Sequence, residues 1–241
     1  MKYTKKYKIG FHQTDLNFKL KPYEFMNMAQ DIATEHVQSK GCGQLDLRKD
    51  DLAWILIKMN TEFIQMPCNM QDVVMQTWHK GQMGPIFYRD YTIHDTDGKL
   101  LIKSTSIWAT VNCTSRTISR PKPILTDCIV KEDAMIDRNI KLRVPADLPL
   151  VKECVHRVTY SDIDCNNHVN NTSYVIWALN ALPYSVVANR GIKSIEISYL
   201  NETKPETDVT IQIYSATDKD HYLKMTDSAG KILALLRIVV N

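Results

Sequence analysis

The spacing of apolar residues divides the chain into an early helix, a run of strands, a polar connector and a second copy of the same order. From Phe25 the period is helical. Phe25, Met28, Ala29, Ile32, Ala33, His36 and Val37 share one face, and Gly41 follows as a stop. Ahead of this helix, Lys6 to Leu16 opens like a strand and runs into turn residues around Asn17. Beyond it, Ala53–Ile57, with Thr61–Ile64 as partner or continuation, then Val73–Trp78, Ile86–Ile93 and Leu100–Val111 read as strands. Asp97-Gly98 predicts a tight turn between two of them, since glycine tolerates positive φ.

Between Arg116 and Leu150 the pattern lapses. Pro121, Pro123, Pro145 and Pro149 interrupt a charged stretch that predicts a connector with one short helix. The early order then resumes. Val155–Tyr160 reads as a strand, Asn166–Asn171 as a polar segment, and Ser173–Ala181 as a helix capped by Asn171 or Thr172. Ile192–Leu200, Asp208–Ser215, His221–Thr226 and Ile232–Val240 read as four more strands, with Asp227–Gly230 as the last turn. Ile9, Phe11, Asp15, Asn17 and Leu20 align with Val158, Tyr160, Asp164, Asn166 and Val169 at an offset of 149 residues. Asp72-Val73 matches Asp208-Val209, and Asp97-Gly98-Lys99 matches Ala229-Gly230-Lys231. A shared order of one helix and an antiparallel meander points to duplication. The expected architecture is α+β: two tandem units forming a pseudo-dimer, each an antiparallel sheet wrapped on a helix. The expected boundaries are 1–120 and 150–241, with a linker at 121–149.

Composition narrows the functional classes. The chain has 241 residues, 44% apolar and 24% charged, with 30 basic and 27 acidic side chains and a net charge of +3. That describes a folded globular protein with no electrostatic demand for nucleic acid. No apolar run approaches the roughly 20 residues that span a bilayer, and the four lysines within Met1–Lys8 are not followed by a signal-like stretch. Six cysteines form no CxxC pair, so reduced thiols and a cytoplasmic location are expected.

The segment from Asp162 to Asn171 holds the sharpest chemistry: seven of its ten residues are Asp, Asn or His, ahead of an apolar helix. Turn and cap formation accounts for part of this, Asn171 above all. Asp164, Asn166 and His168 alternate, so in an extended segment they share a direction. They offer a carboxylate, an amide donor and an imidazole, which suits stabilisation of a developing oxyanion and proton transfer. Glu202 lies one strand later. Cys165 falls between Asp164 and Asn166, so the same alternation points it away from them, which argues against a thiol nucleophile.

Here the chain resembles a known family, the acyl-acyl-carrier-protein thioesterases of plants and bacteria, which are built as a double hot-dog fold. The strongest piece runs from Asp162 to Trp177, where Asp164, Asn166 and His168 precede Val169-Asn170-Asn171 and an aromatic-rich helix. Tyr199-Leu200-Asn201-Glu202 is similar to the family's Tyr followed by a catalytic Glu. Trp54, Pro67, Thr77-Trp78, Gly84, Arg89 and Trp108 follow the order of its first hot-dog domain. The chain departs from many plant members at Thr203, where they have Cys after the glutamate. The resemblance implies a catalytic set of Asp164, Asn166, His168 and Glu202. It implies hydrolysis of fatty acyl-acyl carrier protein in fatty acid biosynthesis, releasing free fatty acid and the carrier thiol.

On that reading Glu202 activates water, Asn166 and His168 bind or polarise the substrate in exchangeable roles, and Asp164 holds the arrangement. A covalent role for Glu202 stays open, and backbone donors at the start of the following helix could add oxyanion contacts. The expected partner is acyl carrier protein with its phosphopantetheine-linked chain, with no nucleic acid or membrane and with room for a homodimer. Arg157, Arg190, Lys193 and Lys204 are candidate docking cations. The carrier's arm supplies the thioester, so no cofactor and no metal is expected. No phosphate loop or dinucleotide fingerprint occurs, and the scattered histidines lack metal-ligand spacing. In the first repeat His12 and Asp15 occupy the equivalent loop, but Lys19 stands at the position of His168. That half is expected to shape the acyl tunnel, with Trp54, Met59 and Phe63 as lining or core. Two alternatives remain: a hot-dog enzyme acting on acyl-coenzyme A or dehydrating a hydroxyacyl thioester, and a non-catalytic acyl-binding protein.

Overall fold

A computed structural model describes residues 1–119, 125, 128–135, 142–215 and 217–241. The chain forms two compact units, Met1–Arg138 and Asn139–Asn241. They divide inside the segment expected as connector. Pro121 and Pro123 lie outside the described residues, but Leu125 and Cys128 of that segment are buried in the first unit against Cys42 and Trp54.

In the first unit, β1 (Tyr3–Lys8) precedes α1 (Pro22–Gln38), a short α2 (Gln44–Arg48) and four long strands. These strands are β2 (Leu52–Phe63), β3 (Asp72–Met83), β4 (Ile86–Asp95) and β5 (Leu100–Asn112), and the unit's sheet order is β1-β3-β4-β5-β2. Every neighbouring pair is antiparallel. Proline at its first position starts α1, and its buried face is the expected one, Phe25, Met28, Ala29, Ile32, Ala33 and His36, with Met26 added. Thr61–Phe63 continues β2 rather than pairing with it. The tunnel candidates Met59 and Phe63 are 4% and 6% exposed, and Phe63 meets Phe25 edge to face, so both are core here. Trp54 is half-buried and donates its indole N–H to the Cys42 carbonyl at 3.0 Å.

The second unit repeats the plan. β6 (Leu150–Arg157) precedes α3 (Asn171–Ala181) and α4 (Tyr184–Arg190). Then come β7 (Ile192–Tyr199), β8 (Asp208–Ser215), β9 (Asp220–Thr226) and β10 (Ile232–Val240), in the order β7-β10-β9-β8-β6. Apolar almost all round, α3 is buried from Thr172 to Val175 and from Trp177 to Leu179. Sequence reading missed α2 and α4, which are too short for a helical period to declare itself.

The repeat extends to individual backbone hydrogen bonds. In the first unit Asp15 N donates to Lys19 O, Lys21 N to Gln13 O, and Leu20 N to Pro67 O. In the second, Asp164 N donates to His168 O, Asn170 N to Asp162 O, and Val169 N to Thr203 O. Both loops are entered through a 3-10 turn, Phe11–Gln13 in one and Tyr160–Asp162 in the other.

Candidate active site

The polar segment is a tight turn, which corrects the expectation of an extended strand with alternating side chains. The turn is closed where Asp164 N–H donates to His168 O at 2.8 Å and Asn167 N–H to Asp164 O at 3.1 Å. Asn167 takes the left-handed conformation, φ 60°, that this closure requires and that asparagine tolerates well. Asp164 is the residue that builds it. Its Oδ1 accepts from the backbone N–H of Asn166 at 2.8 Å and of His168 at 3.3 Å, and its Oδ2 accepts from Asn166 Nδ2 at 3.2 Å. The carboxylate therefore orients the Asn166 amide and the His168 backbone rather than the imidazole.

Three other aspartates among the described residues do the same. Asp15 accepts from the N–H groups of Asn17 and Lys19, Asp95 from Asp97 and Lys99, and Asp227 from Ala229 and Lys231. In each turn the fourth residue has positive φ: Phe18, Gly98, Gly230 or Asn167. What distinguishes the turn at Asp164 is what projects from it. Cys165 is exposed on the turn, and no strand alternation fixes its direction.

His168 faces Glu202, with Nε2 and Oε2 3.4 Å apart, the imidazole 27% and the carboxylate 44% exposed. Two bonds fix the approach of their segments. Val169 N–H donates to Thr203 O at 3.1 Å, so the residues next to His168 and next to Glu202 are tied directly. The Tyr174 hydroxyl on α3 donates to Thr203 Oγ1 at 2.7 Å inside the core, where Thr203 is 2% exposed. Burial, with the nearby Glu202 charge, raises the Tyr174 phenol to about 12, so it stays a proton donor against the opposing hydrogen bond to Thr203. The Tyr199 hydroxyl donates to Asn171 O at 2.9 Å, which ties β7 to the start of α3.

The cap of α3 is Asn170, not Asn171 or Thr172 as the sequence suggested. Its Oδ1 accepts from Thr172 N–H at 3.0 Å and its carbonyl from Ser173 N–H at 2.9 Å. Those two backbone donors are thereby taken. Of the four candidate docking cations, Arg157 pairs with Asp208 at 3.1 Å and Arg190 pairs with Asp218, while Lys193 and Lys204 are exposed.

The structure thus places Asp164, Asn166 and His168 on one turn and brings Glu202 to His168. In the first unit the same turn carries Lys19 at the equivalent place, and its Nζ donates to Cys68 Sγ at 3.1 Å. Thr203 and Tyr174 were not singled out as positioning groups from the sequence, because a buried hydroxyl pair between a helix and a loop leaves no local pattern.

The family models for the acyl-ACP thioesterase N-terminal domain and C-terminal domain match residues 1–129 and 151–238. The chain belongs to the acyl-ACP thioesterase family. It is 25% identical to the chloroplastic oleoyl-acyl carrier protein thioesterase 2 of Arabidopsis thaliana, over 95% of this chain and 67% of that protein. It is 29% identical to a chloroplastic acyl-[acyl-carrier-protein] hydrolase of Cuphea viscosissima, over 73% of this chain and 45% of that protein. Among solved structures, an acyl-ACP thioesterase from Bacteroides thetaiotaomicron matches with a TM-score of 0.91 at 21% identity, covering 100% of this chain and 98% of that one. The 12:0-ACP thioesterase from Umbellularia californica gives 0.90 at 20% identity, covering 100% and 97%. The fold is the double hot-dog of the acyl-ACP thioesterases, two hot-dog units in one chain.

Proposed function

We propose that the protein hydrolyses fatty acyl thioesters carried on acyl carrier protein, with Glu202, His168, Asn166 and Asp164 as its site. The observation that carries this reading is the His168–Glu202 approach at 3.4 Å, on a turn that also carries Asn166 and whose twin in the first unit has Lys19 in place of His168. Glu202 takes a proton from water, and the water oxygen adds to the thioester carbonyl. Asn166 and His168 hold the resulting oxyanion as donors. Collapse breaks the C–S bond, the thiolate takes up the proton, and the products are the free acid and the carrier's thiol. No metal is needed to activate a carbonyl that is already a thioester. Lys193 and Lys204 are available to an acidic carrier.

A panel of acyl-carrier thioesters of increasing chain length tests this, with the matching coenzyme A thioesters alongside, on the parent, Glu202→Ala and Cys165→Ala. Loss of a positioned base costs on the order of 10²–10⁴ in rate. The glutamate variant should lose that much free-acid release and the cysteine variant none. Full turnover in Glu202→Ala removes the assigned base. Preference for coenzyme A esters, or water loss without acid release, moves the protein to the neighbouring hot-dog activities, and tight acyl binding without turnover moves it to a binding role.

A further inference from the structure

We propose that Asp162 is the positioning residue of the catalytic turn, holding His168 in register with Glu202. This rests on the thioesterase reading and adds what fixes its geometry. Asp162 is 7% exposed, and both carboxylate oxygens are occupied. Oδ2 accepts from Thr159 N–H at 2.8 Å, from the Thr159 hydroxyl at 2.9 Å and from His156 Nε2 at 3.2 Å. Oδ1 accepts from the Trp177 indole N–H at 2.8 Å. Its carbonyl accepts from Asn170 N–H at 2.7 Å and from the Ser173 hydroxyl at 3.3 Å. The His156 ring also lies against Trp177, with centroids 4.4 Å apart. One residue thereby fastens β6, the entering 3-10 turn, the far stem of the catalytic turn and α3. Burial alone would raise its carboxyl, but the hydrogen bonds from Thr159, His156 and Trp177 outweigh it and hold the group below the usual range, so it stays an acceptor.

The duplicated unit supplies an internal control. Gln13 stands at the equivalent place, and its Oε1 accepts from Gly10 N–H at 2.8 Å, just as Asp162 accepts from Thr159. Its carbonyl accepts from Lys21 N–H, as that of Asp162 does from Asn170. The positions of His156 and Trp177 are filled there by Tyr7 and Met28. The turn folds without links to strand and helix through an acidic side chain. Those links are present in the unit whose turn carries His168, the residue that approaches Glu202. A shift of about 1 Å in a reacting group costs on the order of 10² in rate, which is the scale on which such bracing matters.

The test compares Asp162→Asn and Asp162→Ala with Val175→Ala, a fully buried α3 position that makes no side-chain hydrogen bond. Val175→Ala reports what a loss of thermal stability does by itself. Asp162→Asn, which keeps one acceptor oxygen, should lower kcat about 10-fold and Asp162→Ala about 100-fold, with KM within about threefold in both. Val175→Ala should keep kcat within threefold at a comparable drop in Tm. Amide exchange at Val169 and Asn170 should speed up at least tenfold in the Asp162 variants and not in Val175→Ala. If Asp162→Ala keeps parental kcat, or Val175→Ala loses as much, the proposal is overturned. If the parent releases no acid from any thioester, the functional reading fails, and the exchange rates still decide whether Asp162 holds the turn.

Discussion

Acidification should destabilise the first unit through two buried histidines, and the size of the effect follows from their surroundings. His36 and His79 are 2% and 1% exposed. Arg89 Nη1 donates to His36 Nδ1 at 3.0 Å and to Thr77 Oγ1 at 3.1 Å, and His79 Nδ1 donates to the Tyr88 carbonyl at 3.2 Å. Burial first, and the Arg89 charge second, lower each imidazole from 6.5 to about 4. Between those values the unfolded chain binds more protons than the folded one. The stabilisation is therefore complete above the unfolded pKa and is lost as pH falls through the folded one. At pH 5 each histidine forfeits about 2 kcal/mol relative to pH 7, a large share of a typical total of about 5–15 kcal/mol. Urea melts at pH 7, 6 and 5, followed by tryptophan fluorescence, should be run on the parent and His36→Gln. Glutamine offers Arg89 an acceptor oxygen but cannot titrate. The variant should lose about 2 kcal/mol less than the parent between pH 7 and 5, and the comparison cancels the other titrating groups. Parallel pH profiles for the two proteins would refute the assignment of His36 as a buried neutral ring.

Three further outcomes are expected. Thr203→Val leaves the buried Tyr174 hydroxyl without its acceptor and should cost about 1–3 kcal/mol in chemical denaturation; a change under 0.5 kcal/mol would mean that water or another group takes its place. Phe18 is 57% exposed and held at φ 58°. Phe18→Asn, the residue that the matching turn uses, should therefore gain about 0.5–1 kcal/mol, and an unchanged or lower Tm counts against strain at this position. Asp15→Ala and Asp164→Ala should each lose about 1–2 kcal/mol from two forfeited backbone hydrogen bonds, while only Asp164→Ala abolishes thioester hydrolysis; equal activity in the two would remove Asp164 from the site.

Much of this was legible because it repeats. The helical face of α1 and the alternation of the long strands are period signals, and the offset of 149 residues lays one loop onto the other in the sequence itself. The motif from Asp162 to Asn171 and the distant Glu202 could be joined through family resemblance, and the fold then brought His168 and Glu202 together. The local conformation was another matter. Asp, Asn and His at alternating positions suit an extended strand and a five-residue turn equally well, and only the positive φ at Asn167 separates them. The same ambiguity displaced the helix cap by one residue, since Asn170 and Asn171 are chemically identical candidates. Tyr174 with Thr203, and Asp162 with His156 and Trp177, are contacts between elements, so no window along the sequence contains both partners.

The paired turns separate what the backbone supplies from what the side chains supply. Asp15 and Asp164 build the same loop with the same backbone bonds, so the aspartate alone does not make the site, and its recurrence at Asp95 and Asp227 shows a turn-former at work. Asn17 and Asn166 are shared as well, so what sets the second loop apart lies at the positions where the two differ. Lys19 becomes His168, which brings an imidazole beside Glu202. Phe18 becomes Asn167, which lowers the strain of the closure. Gln13 becomes Asp162, which adds the links to β6 and α3. A loop that only needs to fold is content with the first set. A loop that must hold an imidazole at a fixed distance from a carboxylate gains from the second, and the cost of burying Asp162 is offset by the four donors around it.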